Sequence, residues 1–155
     1  MAVKRSRFTA KIRRIRRGDS TQRFKTGEHC FDYDLQGQAE DLSFYYARDI
    51  SGKYESYVLV ENAKITGVLC LQNRQNVLYV SRLGILNGHW SAGRGTLLMR
   101  FVLEEAIKRD MSKIVLEAHQ DVVEYFIAGG FRVVKTYFDE RWNGKVASME
   151  LDLSK

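Results

Sequence analysis

The sequence predicts a mixed α/β (α+β) fold, in which a central, largely antiparallel sheet of six to seven strands carries helices on both faces. Three observations favour this class: apolar strand-like runs recur along the chain, short polar joints separate three consecutive runs, and longer stretches show apolar residues at helical spacing. The 155 residues contain no proline and no low-complexity tract. We therefore expect a single domain over residues 8–155, preceded by a basic arm over residues 1–7.

The N-terminal third is predicted to contain one strand and two helical stretches. Residues 8–15, FTAKIRRI, alternate well enough to form the first strand. Residues 18–24 are typical of a turn that leads into a short helical stretch. A helix is expected over residues 30–42, because Phe31, Leu35 and Ala39 fall on one stripe of its surface.

Three strands are expected in the middle of the chain, at residues 56–61, 65–72 and 76–86. They are rich in Val, Ile, Leu and Tyr, which suit a pleated, half-buried surface. Only the short polar joints NAK and NRQ separate them, and joints of that length connect neighbouring antiparallel strands. The sequence thus predicts two consecutive hairpins.

The C-terminal half is expected to alternate helices and strands. A helix over residues 96–110 has a continuous apolar stripe, and a short buried strand follows at 113–118. A second helix over residues 120–130 ends at a pair of glycines, as helices commonly do. Two closing strands, at 131–138 and 146–153, are expected to pair across the joint WNG.

Charge and cysteine content indicate a cytoplasmic protein. The formal net charge is +6, but residues 1–17 hold eight basic side chains and no acid, so the remainder is slightly acidic. Such a segment is typical of a solubilising tail or of an arm that contacts nucleic acid. Cys30 and Cys70 show no paired spacing, which favours buried free thiols in a reducing compartment. No apolar run is long enough to cross a membrane, and the basic N-terminus lacks the apolar core of a secretory signal.

The segment GHWSAGRGTLL, residues 88–98, places three glycines in front of the helix that begins near Thr96. A helix N-terminus offers N–H groups without intrahelical partners, so Gly93 and Gly95 would let a phosphate approach the backbone closely. Arg94, between them, would add a charged contact. The P-loop and dinucleotide-binding patterns both fail here, because neither a Lys-Ser/Thr pair nor a third glycine follows. From the residues alone, a simple turn that feeds a helix remains equally open.

Two motifs in the chain resemble those of the GNAT superfamily of N-acetyltransferases. WSAGRG is similar to the acetyl-CoA-binding motif Arg/Gln-x-x-Gly-x-Gly/Ala, with Trp90 in the Arg/Gln position. EAHQDVVEYFIAGGF is similar to a second signature, in which Ala118, Gly130 and Phe131 fall in register. The resemblance covers nearly the whole chain. It implies a GNAT-like sheet whose fourth and fifth strands, here VSRLGI and KIVLEA, splay apart.

The resemblance implies that acetyl-CoA lies in the gap between those two strands as a cosubstrate. The pantetheine would pair with fourth-strand backbone, the pyrophosphate would take N–H groups from Ala92 through Thr96, and an N–H near Ile85 would polarise the thioester carbonyl. An acceptor amine would then attack the thioester directly. The cofactor-binding residues implied are Leu83, Gly84, Ile85, Trp90, Ala92, Gly93, Arg94, Gly95, Thr96, His119 and Phe126.

The proton-transfer groups depart from the family pattern. Phe126 occupies the position of the family's usual tyrosine acid, and Tyr125 is one residue away, about 100° around a helix. Either Tyr125 packs in the core and water protonates the thiolate, or a rotated helix lets Tyr125 do so, or the protein binds CoA and catalyses poorly. Glu117 is the candidate base, although an outward, solvated glutamate is the alternative. His119 follows it, and the histidines show no metal-ligand spacing, so we expect no metal.

The acceptor is expected to be a primary amine of a small molecule or peptide, although the acceptor itself cannot be read from the sequence. An alternative is aminoacyl-tRNA, since FKTGEHCFDYDLQGQA and Arg82-Leu83 resemble segments of the toxin-type branch of the family. The N-terminal cations would then meet tRNA phosphates. A further alternative is a non-catalytic CoA-binding module. Many relatives pair through their last strands, so a homodimer is also expected by analogy.

Overall fold

The computed structural model of the chain describes residues 10–19, 23–25, 39–85, 93–140 and 143–153. The strands run as follows: β1 Ala10–Arg14, β2 Arg23–Lys25, β3 Ala39–Asp41, β4 Glu55–Glu61, β5 Lys64–Arg74, β6 Val77–Ile85, β7 Lys113–His119, β8 Arg132–Asp139 and β9 Gly144–Asp152. The helices are α1 Ser43–Ile50, α2 Arg94–Lys108 and α3 Val123–Ala128. Short 3-10 turns lie at Arg17–Asp19 and Gln120–Val122.

Seven of these strands form one sheet in the order β1-β4-β5-β6-β7-β9-β8, and β2 and β3 form a separate two-stranded sheet. Every pairing in the large sheet is antiparallel except that of β6 with β7. The predicted fold class is therefore confirmed. The parallel pair arises because α2 carries the chain from the end of β6 back to the start of β7, as a crossover helix does.

The helices lie on opposite faces of the sheet because each face presents its own apolar cluster. Leu98, Val102 and Ala106 of α2 pack in the larger cluster, together with alternate residues of β7 such as Leu116. Tyr45 of α1 packs in a smaller cluster on the other face. Because side chains alternate along a strand, the β7 residues that flank Leu116 point to the face that carries α1. Glu117 and His119 thus lie on the α1 face.

The hairpins predicted from the short joints are confirmed. β4 pairs with β5, β5 with β6, and β8 with β9, all antiparallel. Residues with positive φ occupy the turns, namely Asn62, Ala63, Gln75 and Asn143. Two-residue turns with positive φ match the right-handed twist of the strands they join, which explains how such short joints suffice.

The predicted helix over residues 30–42 is wrong at its C-terminal end. Ala39–Asp41 is a strand that pairs with Arg23–Lys25, and the helix begins only at Ser43. Residues 18–24, expected to form a turn that leads into a short helical stretch, begin in the 3-10 turn Arg17–Asp19 and run into the strand Arg23–Lys25. Residues 20–22 and 26–38, with the rest of both predictions, lie outside the described residues. The helix Ser43–Ile50 escaped prediction because its N-cap is Leu42, which makes no side-chain cap hydrogen bond.

Arg109, directly after α2, fastens the C-terminus of that helix to the sheet. Its guanidinium donates to both carboxylate oxygens of Glu55 on β4, at 2.7 and 3.1 Å, and to Asn73 Oδ1 on β5 at 2.9 Å. Glu105, one turn back on the helix, accepts from the same group at 2.9 Å. Burial, and a hydrogen bond to Glu55, raise the pKa of the neighbouring Tyr57 phenol to about 12. A cation at a helix C-terminus also interacts favourably with the helix dipole.

Part of the basic N-terminal segment is engaged in ion pairs. Arg13 donates to both oxygens of Asp19, at 2.7 and 3.0 Å, and Arg14 Nε lies 2.7 Å from an oxygen of Asp49. The basic arm, residues 1–7, lies outside the described residues. Within the described ranges, no helix has the length and apolar character needed to span a membrane. Cys70 is a buried free thiol, as expected, whereas Cys30 falls outside the described ranges.

Candidate active site

The central feature of the site is the separation of β6 from β7. The two strands pair only between Val77–Val80 and Lys113–Leu116. Beyond this ladder β6 continues to Ile85 beside β5, and β7 continues to His119 beside β9. A wedge-shaped gap therefore opens in the middle of the sheet, between the two strands that the motif resemblance predicts to splay.

A bulge at Ser81 accounts for the separation. Val80 pairs with Leu71 and Arg82 pairs with Cys70, so Ser81 is an extra residue in β6 with no opposite number. A bulge bends its strand and increases the local twist. The bend falls immediately after the last pair that β6 makes with β7, between Val80 and Leu116. The bulge thus turns β6 away from its parallel neighbour while its ladder to β5 continues.

The β6 residues assigned to the pantetheine lie along this gap. Leu83, Gly84 and Ile85 pair with β5 residues on one side. In an antiparallel ladder, alternate residues direct their N–H and C=O groups away from the partner strand, here toward the gap. The side chains of Leu83 and Ile85 are fully buried in the core. What this edge offers to a ligand is therefore backbone rather than side chain.

The N-terminus of α2 begins at Gly93, which adopts the left-handed conformation with φ 79°. Its carbonyl accepts from the N–H of Leu97 at 3.1 Å, the first intrahelical bond. Gly95, in the first turn, is buried. First-turn N–H groups have no partner within the helix, and the macrodipole adds partial positive charge to them. Gly93 to Thr96, where the pyrophosphate is expected, form the start of this helix, whereas Trp90 and Ala92 lie outside the described residues.

The side chain of Arg94 has a partner that the sequence reasoning missed. Its Nη2 donates to Glu61 Oε1 at 2.7 Å, and its Nε donates to the other oxygen of the same carboxylate. The Thr66 hydroxyl also donates to Glu61. Both charged side chains are nearly buried, with 12% and 5% exposure. Arg94 thus fixes the start of α2 to the end of β4, instead of extending toward a ligand as we expected.

Tyr125 and Phe126 take opposite environments on α3. Phe126 is 2% exposed and packs in the core, whereas Tyr125 is 37% exposed. The Tyr125 hydroxyl lies 3.0 Å from Thr96 Oγ1, on the first turn of α2. The hypothesis that Tyr125 packs in the core is therefore wrong. Thr96 and Tyr125 line a cavity of about 390 Å³ between the two helices, with Arg100 beside them.

Glu117 follows the last β7 residue paired with β6, so its carboxylate stands at the mouth of the gap on the α1 face. It accepts hydrogen bonds from Tyr79 Oη at 3.4 Å and from Tyr137 Oη. Burial and the nearby carboxylate raise the pKa of both phenols, so both remain donors. The glutamate is half-buried rather than fully solvated. Neither tyrosine had a sequence signal, since they are 38 and 20 positions away on other strands.

The charge of Glu117 is not neutralised by a basic side chain. Six acids in the described part of the chain form ion pairs with arginine or lysine, namely Asp19, Asp49, Glu55, Glu61, Glu105 and Glu150, and Asp121 lies against His119. No basic residue in the described part of the chain forms an ion pair with Glu117. A half-buried carboxylate that accepts hydrogen bonds from two phenols is suited to accept a further charge-assisted hydrogen bond, such as one from an ammonium group.

His119 has a local structural contact. Its Nδ1 accepts from the Asp121 N–H at 3.3 Å and so caps the turn at Gln120–Val122. The ring is 16% exposed and lies against Gly144, where an added Cβ would approach Nε2 to 3.0 Å. Among the residues that the structure describes, no group of three or more His, Cys, Asp or Glu side chains is placed to hold a metal ion.

A sequence model described as "Acetyltransferase (GNAT) domain" matches residues 32–153. The chain belongs to the GNAT acetyltransferase family. It is accordingly an N-acetyltransferase, and the resemblance seen in the two motifs is confirmed. No curated protein matches the chain significantly.

Solved GNAT structures share the fold. The ribosomal-protein-S18-alanine N-acetyltransferase from Escherichia coli superposes with a TM-score of 0.72 at 14% identity, covering 95% of this chain and 96% of that one. An IAA acetyltransferase from Bacillus cereus gives 0.64 at 16% identity, with 94% and 100% covered. The PaiA N-acetyltransferase from Thermoplasma acidophilum, solved in complex with coenzyme A, gives 0.58 at 17% identity, with 72% and 68% covered.

Proposed function

We propose that the protein transfers an acetyl group from acetyl-CoA to a primary amine, which attacks the thioester directly. The observation that carries this proposal is the gap between β6 and β7, which opens where an extended arm can add to the β6 backbone. The chain leaves β6 at Ile85 and enters α2 at Gly93, so the gap and the helix N-terminus are close in sequence. A strand-like binding edge followed by an anion-binding backbone matches a ligand with an amide-rich arm and a pyrophosphate.

The residues present fit acetyl-CoA in three respects. Backbone groups of Leu83 to Ile85 would pair with the amides of the arm, and the N–H groups from Gly93 to Thr96 would bind the pyrophosphate. A backbone N–H near Ile85 would polarise the thioester carbonyl, the role of an oxyanion hole. Bound acetyl-CoA supplies an activated acyl carbon. The chain supplies the orientation.

Two side chains are proposed to handle protons. Glu117 would hold the acceptor ammonium at the mouth of the gap and accept its proton, so that the neutral amine reacts. Tyr125 would protonate the departing thiolate, because Phe126 has no proton and is enclosed in the core. In support, Tyr125 is exposed on the α3 surface that faces the start of α2.

A small-molecule or peptide amine is favoured as the acceptor over aminoacyl-tRNA. Binding to tRNA would draw on the N-terminal cations to contact phosphates. Two of those cations, Arg13 and Arg14, are instead paired with Asp19 and Asp49. The residues that carry the toxin-type resemblance, from Phe24 to Ala39, lie mostly outside the described ranges.

The test is calorimetric titration of the protein with acetyl-CoA, compared with two glycine variants. Gly93 and Gly52 have φ of 79° and 81°, and a Cβ at either would meet no atom within 4 Å. Gly93→Asp and Gly52→Asp therefore carry the same backbone cost and the same added charge. Only the first places a carboxylate at the start of α2.

We expect Gly93→Asp to abolish binding, because its negative charge lies where the pyrophosphate should bind, and Gly52→Asp to bind like the wild type. Equal affinity in all three proteins would contradict the assignment of the pyrophosphate to this helix. Absence of binding by the wild type would contradict the proposed cosubstrate itself.

A further inference from the structure

The α1 face around Glu117 contains a second charge without an ionic partner. Arg74, the last residue of β5, has its guanidinium stacked on the Tyr79 ring, with Cζ 3.8 Å from the ring centroid. Its Nε donates to Gln72 Oε1 at 2.8 Å, and no carboxylate of the described residues forms an ion pair with it. A guanidinium has five N–H donors, and the bond to Gln72 uses only the one on Nε.

Tyr79 connects the two opposite charges. Its hydroxyl donates to Glu117 Oε1 at 3.4 Å, and the Arg74 guanidinium stacks on its ring. Both charged residues line one cavity of about 310 Å³, together with Tyr79 and Ser148. A carboxylate thus stands at one side of a small cavity, a guanidinium at the other, and an aromatic ring lies between them. The volume is at the small end for ligand sites, which excludes a bulky acceptor from the cavity itself.

The two charges also have a fixed direction relative to the gap. Glu117 comes directly after Leu116, the last β7 residue paired with β6, whereas Arg74 pairs with Val77 at the opposite end of that ladder. A ligand that bridges them would have its cationic end next to the gap. Its anionic end would lie on the α1 face, over the part of the sheet where β6 and β7 are still paired.

We infer that the acceptor is a small amine that also carries an acidic group, as an amino acid does. This inference rests on the proposed function, since it names the class of acceptor for the same reaction. The ammonium would pair with Glu117, and the carboxylate would take two parallel hydrogen bonds from the fork of Arg74. The bound amine is then held toward the acyl carbon that the gap presents.

The transfer balances without a further reactant. The ammonium gives its proton to Glu117, and the nitrogen lone pair forms the new bond to the acetyl carbon. The carbon–sulfur bond then breaks with its electron pair on sulfur, and the nitrogen loses its second proton to solvent. Tyr125 protonates the thiolate and regains its own proton from solvent. The products are an N-acetylated acid and CoA. The acidic group of the acceptor takes no part in bond making, so its contribution is orientation.

The experiment compares matched amines with the whole protein and acetyl-CoA. Each of the twenty amino acids is assayed beside its carboxamide, which keeps the amine and removes the acidic charge. O-Phosphoethanolamine beside ethanolamine tests a phosphate as the acidic group. We expect acids to be acetylated with kcat/KM at least about tenfold above their uncharged partners, the ratio typical of one charge-assisted contact.

Variants assign the preference to Arg74. Arg74→Gln should raise KM for the preferred acid about tenfold and leave KM for its uncharged partner unchanged, with Arg74→Lys intermediate. Lys108→Gln, which removes the same charge from the exposed end of α2, should leave both unchanged. The acetyl-CoA affinity of every variant should equal that of the wild type.

Several outcomes would overturn the inference while the proposed function stands. One is normal acetyl-CoA binding with equal or better acetylation of the uncharged amines. A second is that Arg74→Gln loses acetylation of the acid and of its uncharged partner together. A third is that no acid is acetylated. If acetyl-CoA itself does not bind, the proposed function fails. NMR titration of the protein with the same amino acids and amides then tests the cavity between Glu117 and Arg74. Tighter binding of the acids would support this part of the inference, and equal binding would contradict it.

Discussion

The carboxylate of Glu61 binds the guanidinium of Arg94 through two parallel hydrogen bonds, and this pair joins the last residue of β4 to the first turn of α2. Both side chains are nearly buried. The contact holds the helix N-terminus in place beside the gap. The proposed anion site therefore depends on a residue that lies 33 positions away in the sequence.

We expect Glu61→Gln to lower the free energy of unfolding by about 3 kcal/mol, because it removes the carboxylate that accepts two hydrogen bonds from a nearly buried guanidinium. The affinity for acetyl-CoA should also fall, since the first turn of α2 loses its anchor. Urea unfolding and calorimetry measure the two effects. The pair of Arg14 with Asp49 provides the control, because the Arg14 side chain is half exposed and Arg14→Gln should cost less than about 1 kcal/mol. Similar losses of stability in both variants would show that the Glu61–Arg94 pair stabilises the protein no more than the Arg14–Asp49 pair does.

Tyr125→Phe tests the proposed acid. We expect kcat to fall about 10²-fold, the usual contribution of a positioned proton donor, with little change in the affinity for acetyl-CoA. Thr96→Val removes the partner of the phenol without removing its proton, so it separates loss of the acid from loss of the Thr96 contact. An unchanged kcat in Tyr125→Phe would mean that water protonates the thiolate.

Tyr137→Phe removes one of the two phenols that donate to Glu117. We expect kcat/KM for the acceptor to fall about tenfold, because the carboxylate loses a charge-assisted hydrogen bond and its fixed orientation. The affinity for acetyl-CoA should not change, and steady-state kinetics with both substrates varied would show this. Tyr54→Phe makes the same change on a tyrosine that does not bind Glu117, and should be neutral. Equal effects of the two variants would argue against a role for Tyr137 in holding Glu117.

The ion pair of Asp19 with Arg13 should appear in the pH dependence of stability. The Arg13 guanidinium and the Arg16 N–H donate to Asp19 and hold the pKa of that carboxyl below its usual value. A depressed pKa in the folded state stabilises the protein above the unfolded-state value of about 3.9, and that contribution is lost as the pH falls through the folded-state pKa. The free energy of unfolding should therefore decline more steeply below about pH 4 in the wild type than in Asp19→Asn. Parallel curves would contradict the assignment.

Gly67→Ala tests how tightly α2 packs beside the gap. A Cβ at Gly67 on β5 would lie 3.2 Å from Leu98 Cδ1 of α2, 3.3 Å from Leu59 Cβ and 3.4 Å from Ile85 Cδ1. Such overpacking should destabilise the protein by about 1–2 kcal/mol. Gly18→Ala, where a Cβ would meet nothing within 4 Å, is the matched control for thermal unfolding. A stable Gly67→Ala variant would show that the helix can shift away from the sheet.

The large sheet and α2 were predictable because their signals are local. Alternation, short polar joints and one amphipathic stripe are properties of neighbouring residues. Helix α1 gave no such signal, since aromatic residues are modest helix formers and Leu42 is not a capping residue. The stripe of Phe31, Leu35 and Ala39 instead favoured a helix, although the chain forms a strand at Ala39–Asp41.

The site was predictable only where the backbone makes it. Gly93 and Gly95 indicate an anion site from the sequence alone, because their spacing ahead of a helix is itself a local signal. The orientation of Tyr125 depends on the rotation of α3 about its axis. Residue spacing in the sequence does not determine that rotation. The two phenols on Glu117 and the extra residue Ser81 arise from strand register. Register is a property of strand pairs rather than of a segment.

Helix α2 is fastened at both ends, by Arg94 to Glu61 and by Arg109 to Glu55. A helix anchored in this way acts as a rigid strut rather than as a lid. The ordering cost of an anion site at its N-terminus is then met during folding, before any ligand arrives. Adjustment on ligand entry would fall to the side that faces α3, where the hydroxyl pair of Thr96 with Tyr125 lies at an exposed position.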